Sequence, residues 1–462
     1  MKRRDFLKKT ITAAVASAIF PKMTSADVIP VDTSTPLPLD QVVFDKDIFT
    51  NNDAQTIIVF LNGGMSDAVG NVQHIEEIKS NDLSLKTYPS TGITPTVNGF
   101  WKEAGGEAFL EPMLADGSLN LFRTCYNPGG SLAHGFSQKR NMNGNDAGYN
   151  SGIVTTLLHV LNRYGAIPSN ASLTNVAIDG SDYRLLEDGA APEILPDFLR
   201  PASFNRRLEN VYNYTLTPEG YVSVGDTTAT IRLNNANFNE RLIALSQRHN
   251  RYDALSDIFN KRTLMSDFLD RVINETLPVE YPNTVDGLKM EAAMRILVNN
   301  PDTRVVSMIG GKNSWDDHSD AISKHRGRAY ELFQAIYAAV EHAKAVGKDN
   351  INIVVFGDFG RNLTLNSASG WDHGNNQVVY WFGGKKFFNQ LGIVGDTYLY
   401  EMIRKYRLYS MPKEDSYQFS PYSIAATIYA IYGIKNPEVL TGGHGVIDPS
   451  ITGSSTVPFL MV

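Results

Sequence analysis

Cysteine is almost absent from this sequence, which has a single cysteine, Cys125, among its 462 residues. An internal disulfide is therefore excluded, and stability must come from a buried core. A lone thiol also argues against Cys-pair redox chemistry, haem attachment and the thiolate ligand sets that softer metals prefer. The dinucleotide fingerprint G-x-G-x-x-G is missing as well, so we expect no nucleotide cofactor.

Positive charge is also scarce, because the formal net charge is −7. Loss of residues 1–26 would take it to −12. A nucleic-acid partner would require a basic face that neutralises phosphates, and a membrane-surface site would require a polybasic run. We therefore expect neither a nucleic-acid partner nor a stable membrane anchor.

The apolar stretch nearest the N-terminus covers only residues 10–20, which is too short to span a bilayer. It follows a basic segment with the paired arginines Arg3 and Arg4, and small residues stand at 24–26. This pattern predicts a twin-arginine signal peptide over residues 1–26, with an ordinary Sec signal as the alternative. The twin-arginine translocase would then be a partner during export, and the mature protein would be periplasmic or secreted.

Six apolar runs rich in β-branched residues are typical of strands buried on both faces of a parallel sheet. They lie at residues 56–61, 119–124, 175–178, 304–309, 351–356 and 378–382. Residues 321–346 have helical apolar spacing and complete a strand–helix–strand unit, and we expect the helical histidines His325 and His342 at the surface. We therefore expect an α/β fold with a mostly parallel sheet and helices on both faces.

The domain organisation follows from changes in composition along the chain. Residues 27–52 are rich in Pro, Thr and Asp and predict an extended lead-in. Residues 53–462 then form one α/β domain. Few strand patterns occur between about 200 and 300, where the polar helical stretch 237–274 predicts a helical insertion.

Acidic and histidine side chains follow several predicted strands, at the edge where open α/β sheets bind their ligands. The candidate metal ligands are Asp316, Asp317, His318, Asp358, Asp372 and His373. Carboxylate and imidazole groups suit a divalent ion such as zinc, manganese or calcium. Each of these residues has an alternative role as a helix cap or a buried hydrogen-bonded group.

Three further residues are candidates for catalysis. Ser66 lies in a Gly-rich turn, where its hydroxyl could attack an anion held by backbone N–H groups, or could cap a helix. Arg361 could contact an anionic substrate through its planar fork, or form a salt bridge with a neighbouring Asp. His134 is a candidate ligand or acid/base, and His444 is a weaker candidate near the C-terminus.

Taken in order, these motifs resemble the exported bacterial proteins catalogued as domain of unknown function 1501, which are related to the alkaline phosphatase and sulfatase superfamily. The resemblance covers most of the chain after the leader. It rests on the N-terminal arginines and on residues 61–66, 131–134, 142–144, 315–318, 358–361 and 372–374. It implies an alkaline-phosphatase-like α/β core with helices on both faces.

The resemblance also implies an activity. Superfamily enzymes typically bind one or two divalent metals and hydrolyse phosphate or sulfate esters, which makes a small anionic substrate the expected partner. This sequence departs from that pattern at Asn62, where the first-strand acid is expected, and at Phe359, where many members have His. These departures keep open a second hypothesis, a non-catalytic secreted binding or accessory protein with a degenerate site and a secreted partner protein.

Overall fold

The computed structural model describes residues 35–461 except 169–170, 172, 180–182, 188–201, 205, 207–213, 218–219, 224–243, 245–267, 269–270 and 313. The α-helices are α1 (Lys46–Asn52), α2 (Ile75–Ser80), α3 (Glu111–Ala115), α4 (His134–Asn143), α5 (Ile153–Arg163), α6 (Val285–Asn299), α7 (Ala321–Ala345), α8 (Tyr422–Ile431) and α9 (Glu438–Thr441). The predicted signal peptide lies outside these residues. Within them, no helix is long and apolar enough to cross a membrane.

Fourteen strands are described, and eight of them form the central sheet. The strands are β1 (Gln55–Leu61), β2 (Leu119–Tyr126), β3 (Asn175–Ile178), β4 (Ala202–Phe204), β5 (Tyr214–Thr217), β6 (Gly220–Ser223), β7 (Val305–Ile309), β8 (Ile351–Gly357), β9 (Gly360–Leu365), β10 (Trp371–Gly374), β11 (Asn376–Gly383), β12 (Ile393–Val394), β13 (Thr397–Met402) and β14 (Arg407–Pro412). The order in the sheet is β12-β2-β11-β8-β1-β7-β3-β4. All neighbours pair in parallel except β11, which is antiparallel to β2 and β8.

Alternate side chains of each central strand enter two separate cores, one on each face of the sheet. On β1, Ile57 and Val59 pack into a core that includes residues of α6 and α7. Their neighbours Ile58 and Phe60 pack on the opposite face with residues of α5 and α8. Complete burial of such a side chain contributes about 1.5 to 3 kcal/mol. Because both faces are covered, the strands are apolar along their whole length, as parallel-sheet strands must be.

These observations confirm the predicted α/β fold with a mostly parallel sheet and helices on both faces. All six predicted strands are present, with ends that differ by at most a few residues. One prediction was wrong: His325 and His342 are buried, not exposed, because both lie on the side of α7 that faces the protein interior.

Two segments differ from the expected organisation. The predicted lead-in 27–52 ends in helix α1, which forms because the Asp45 side chain caps its first turn and Phe49 is buried. In the region 200–300, the described parts include strand β4 at the sheet edge, the β5–β6 pair and helix α6. Most of the polar stretch 237–274 lies outside the described residues.

The antiparallel direction of β11 explains why Asp372 and His373, which precede this strand, lie at the ligand-binding edge of the sheet. A strand that runs against its neighbours begins where the parallel strands end. The segment just before β11 therefore lies at the carboxyl edge of β1, β7 and β8. That segment is the short pair β9–β10, and Asp372 and His373 lie on β10.

Candidate metal centre

Four ligand atoms from three parts of the chain converge at this edge. They are the Nε2 atoms of His134, His318 and His373 and the Oδ1 atom of Asp316, and all lie within 4.8 Å of one another. Asp316 Oδ1 is 3.1 Å from His134 Nε2, 3.0 Å from His318 Nε2 and 3.5 Å from His373 Nε2. The Nε2 atoms of His318 and His373 are 3.2 Å apart.

Each side chain is placed by an element that ends or begins at the carboxyl edge. His134 is the first residue of α4, and His373 lies on β10. Asp316 and His318 follow β7 in a loop that is tied to the end of β1, because Trp315 N donates to Asn62 O at 2.6 Å. The Asn62 Oδ1 atom is buried and has no hydrogen-bond partner among the described residues.

The second ring nitrogen of each histidine faces an oxygen acceptor outside the cluster. His134 Nδ1 lies 2.6 Å from Asp358 Oδ2, and His318 Nδ1 lies 2.9 Å from Asp372 Oδ1. His373 Nδ1 lies 2.7 Å from the carbonyl oxygen of Leu132. Because carboxylate and carbonyl oxygens only accept, the network assigns the Nδ1–H tautomer to all three neutral rings.

This assignment leaves the three Nε2 lone pairs directed at one another and at the Asp316 carboxylate. Four acceptors at such short distances repel one another unless a metal ion, or a proton on one of the rings, lies among them. Four ligands bound tetrahedrally to one zinc ion at about 2.0 to 2.1 Å lie about 3.3 Å apart. The separations of Asp316 from the three histidines and of His318 from His373, at 3.0 to 3.5 Å, match that spacing. The outer oxygen partners are those that metal-bound histidines usually have.

Asp316 is held by Arg361, whose side chain is completely buried. Arg361 Nη2 donates to Asp316 Oδ1 at 2.7 Å. The same guanidinium donates to the backbone carbonyls of Gly63, Gly64, Trp315 and Trp371. All three guanidinium nitrogens of Arg361 thus donate within the protein, and the predicted salt bridge with a neighbouring Asp is observed.

The electrostatics of the cluster favour the protonation states that a metal requires at Asp316 and His373, but not at His134. Partial burial raises the pKa of Asp316, but Arg361 and the neighbouring His134 and His318 outweigh it and lower that pKa to about 2. Burial, Arg361 and His134 lower the pKa of His373. Burial lowers the pKa of His134 too, but its bond to Asp358 and the charge of Asp316 raise it overall. Asp316 is therefore an anion at neutral pH, and His373 favours its neutral form.

Asp317, although adjacent to Asp316, does not join the cluster. The residue is 4 % exposed, and its carboxylate faces α7, where Oδ2 lies 2.6 Å from His325 Nδ1. Arg328 donates to both carboxylate oxygens, at 2.6 and 3.0 Å. Asp317 thus secures the loop that carries Asp316 and His318 to helix α7.

The other predicted residues lie around the cluster. Asp358 and Asp372 accept hydrogen bonds from the Nδ1 atoms of His134 and His318, on the side of each ring away from the cluster. The predicted roles of Asp358 and Asp372 as metal ligands stay untested. Ser66 is 1 % exposed, and its Oγ accepts from Ala68 N at 3.3 Å as the cap of the 3₁₀-helix Asp67–Val69. His444 forms a separate pair with Asp146, at 3.0 Å.

The sheet and this cluster together define an α/β protein with a candidate metal centre at the carboxyl edge of its strands. Residues 286–388 match the family model described as a protein of unknown function (DUF1501), which confirms over that segment the resemblance seen in the sequence. The segment includes every member of the cluster except His134. Among curated proteins, no sequence matches this chain.

Three solved structures are similar to this chain over most of its length. The C-terminal periplasmic domain of EcEptC from Escherichia coli is 8 % identical, with 90 % of this chain and 92 % of that domain covered and a TM-score of 0.39. The same domain in complex with zinc is 9 % identical over 90 % and 92 %, with a TM-score of 0.37. An alkaline phosphatase superfamily protein from Vibrio parahaemolyticus is 10 % identical over 92 % and 75 %, with a TM-score of 0.32. At these scores, the fold class rests on the observed sheet.

Proposed function

We propose that this protein is an exported, zinc-dependent hydrolase of phosphate or sulfate esters. The observation that carries the proposal is the convergence of three Nε2 lone pairs and one carboxylate oxygen on a single point. Three of the four ligands are nitrogens, which favours zinc over calcium, because calcium takes oxygen ligands. Imidazole also suits zinc better than manganese, which prefers carboxylate, carbonyl and water oxygens.

Each protein residue has a separate role at such a site. A divalent ion held there would polarise the ester oxygen and activate the attacking group. Asp316 remains ionised and binds as an anion, while Arg361 fixes its orientation. The site is open to an ester from the side of His318, whose side chain is 45 % exposed. Because Ser66 is buried as a helix cap, we expect water to be the attacking group.

A second function is favoured by a different observation, the number of protein ligands. Four protein ligands are typical of closed structural zinc sites, whereas catalytic zinc usually has three and keeps one position open. Ser66 and Arg361 are also both engaged within the protein. A non-catalytic binding or accessory protein, with a secreted protein as its partner, is therefore the alternative.

The export part of the proposal rests on the N-terminal sequence. The paired arginines, the short apolar stretch and the small residues at 24–26 support passage through the twin-arginine translocase. N-terminal sequencing of protein recovered outside the cytoplasm should give Asp27 as the first residue. Recovery of the intact N-terminus from the cytoplasm alone would contradict export.

Metal analysis of the purified protein, prepared without chelators, tests the centre itself. We expect one equivalent of zinc in the parent protein and in the control variant His444→Ala, and loss of zinc in Asp316→Asn and His318→Ala. Absence of metal, both as purified and after titration with zinc, would overturn the metal-dependent mechanism.

Ester hydrolysis then separates the two functions. The zinc-loaded protein is assayed with p-nitrophenyl phosphate and p-nitrophenyl sulfate. Hydrolysis that is lost in His318→Ala but retained in Ser66→Ala supports water attack at the centre. Loss in Ser66→Ala while zinc is retained would make Ser66 the nucleophile, and bound zinc without any hydrolysis would favour the accessory protein.

A further inference from the structure

Strands β13 and β14 form a hairpin with an aromatic outer face. Tyr400 lies directly opposite Tyr409, and Tyr398 lies opposite Met411. Residues directly opposite each other in an antiparallel pair, and those two positions apart along a strand, share one face. We call this the tyrosine face, and its members are Tyr398, Tyr400, Met402, Arg407, Tyr409 and Met411.

The two faces of the hairpin differ in burial except near its tip, where Glu401 of the inner face is exposed. On the inner face, Thr397, Leu408 and Ser410 are at most 4 % exposed, and Asn71 Nδ2 donates to Thr397 Oγ1 at 2.7 Å. On the outer face, Tyr398 and Tyr400 are each 42 % exposed. The hairpin is therefore anchored by one side and presents its tyrosines to solvent with the other.

The tyrosine face is continuous with the candidate metal centre. Arg407 Nη2 donates to Asp372 Oδ2 at 2.8 Å, and the other oxygen of Asp372 lies 2.9 Å from His318 Nδ1. At the other end of the face, burial and the neighbouring Tyr398 raise the pKa of Tyr126, the last residue of β2. A molecule lying on the hairpin thus reaches the carboxyl edge of the sheet.

Positive charge is concentrated at the tip of the hairpin. The 3₁₀-helix Ile403–Lys405 joins the two strands, and both Arg404 and Lys405 are exposed. Within the described part of the chain, neither forms an ion pair with a carboxylate. These cations stand out on a protein whose net charge is −7, and they would attract an anionic ligand.

We propose that the tyrosine face binds an extended anionic carbohydrate, a sugar chain bearing sulfate or phosphate groups, and directs its esters to the metal centre. This deepens the proposed function and rests on it for the hydrolytic step. Each strand of six residues is about 20 Å long, which exceeds a single sugar ring. A face of this length can contact several sugar rings at once, which favours a chain over a small molecule.

The chemistry of the face matches that occupant in three ways. Tyrosine rings pack against the C–H faces of sugar rings, and their hydroxyls exchange hydrogen bonds with sugar hydroxyls. Tyr398 and Tyr400 are two positions apart on one strand, about 7 Å, so they can contact successive rings of a chain. Arg404 and Lys405 provide the charge that sulfate or phosphate groups require.

Binding to dextran sulfate, measured by biolayer interferometry on the full mature protein, tests the proposal. Unsulfated dextran and poly-L-glutamate are the comparison probes, because one lacks the charge and the other lacks the sugar rings. We expect dextran sulfate to bind at least tenfold more tightly than either. The double variant Tyr398→Ala/Tyr400→Ala should weaken binding at least tenfold, whereas the control Tyr330→Ala, at a site that is 41 % exposed on α7, should not.

Several outcomes would overturn the proposal. They are equal binding of poly-L-glutamate, unchanged binding by the double tyrosine variant, and tighter binding to phosphatidylglycerol vesicles than to dextran sulfate. A fourth is a self-association, seen by sedimentation, that the same double variant abolishes. Asp316→Asn is measured in parallel. If this variant loses zinc and hydrolysis but keeps dextran sulfate binding, carbohydrate binding by the tyrosine face and hydrolysis at the metal centre can be tested independently.

Discussion

Asp358 Oδ2 lies 2.6 Å from His134 Nδ1, so a fully buried carboxylate accepts a hydrogen bond from the outer ring nitrogen of a histidine in the cluster. The other oxygen, Oδ1, accepts from Gly63 N at 2.8 Å. Asp358 therefore connects the first turn of α4 with the loop that follows β1. This single contact fixes both the tautomer and the orientation of the His134 ring.

Replacement of Asp358 by Asn should weaken zinc binding by about 10- to 100-fold without removing the site. The amide has a single oxygen, so it can accept from Gly63 N or from His134 Nδ1 but not from both. It also no longer supplies the negative charge that makes the imidazole a stronger ligand. Competition with a chromophoric chelator at pH 7.5 would measure the change. The exposed Asp349→Asn serves as the matched control and should bind zinc as the parent does.

Two results would contradict this assignment of Asp358. An unchanged zinc affinity would mean that the bond to His134 has no effect on the site. Complete loss of zinc, equal to that in His318→Ala, would instead make Asp358 a direct ligand, as the sequence predicted.

Much of the fold was predictable because its strands are buried on both faces. The runs that became β1, β7 and β8 are mostly apolar, and a parallel sheet is the structure that buries such runs. The position of the site also followed, since polar residues after successive parallel strands meet at one edge. The antiparallel direction of β11 was not predictable, because its sequence is as apolar as that of its neighbours.

The division of roles within the site could not be predicted from local sequence. Asp316 and Asp317 are chemically identical neighbours, and only the packing of α7 determines which one enters the cluster. His325 and Arg328, both on α7, bind Asp317 and leave Asp316 to Arg361. The spacing of residues along the chain indicates which side chains lie near the site. The partner of each side chain depends on contacts between segments that are distant in sequence.

Asp317→Ala should therefore cost stability and leave zinc binding in place. The change leaves Arg328 and the buried His325 without their carboxylate partner, and breaking such a buried pair costs about 3 to 5 kcal/mol. Urea unfolding of the zinc-free protein would measure the loss, and metal analysis of the folded variant should still give one equivalent. Loss of zinc at unchanged stability would mean that Asp317, not Asp316, is the ligand.

Asp286 should make stability depend on pH. It is 2 % exposed at the start of α6, where its Oδ1 accepts from Gly311 N at 2.7 Å, and burial raises its pKa from 3.8 to about 6. Between these two values the folded state binds more protons than the unfolded state, so this residue's contribution to stability falls as pH rises. The loss is complete above pH 6 and amounts to about 3 kcal/mol.

Asp286→Asn removes this titration but keeps an acceptor for Gly311 N. The free energy of unfolding of the variant should therefore increase, relative to that of the parent, by up to about 3 kcal/mol between pH 4 and pH 7. Thr284→Ala is the control. The Thr284 hydroxyl caps the same helix by accepting from Gly287 N, so its removal weakens the helix without changing a titrating group. Its cost of about 1 kcal/mol should be the same at both pH values. If the difference in the free energy of unfolding between Asp286→Asn and the parent is also the same at both pH values, Asp286 has the same pKa in the folded and unfolded chain. Its carboxyl group would then be hydrated in the folded protein.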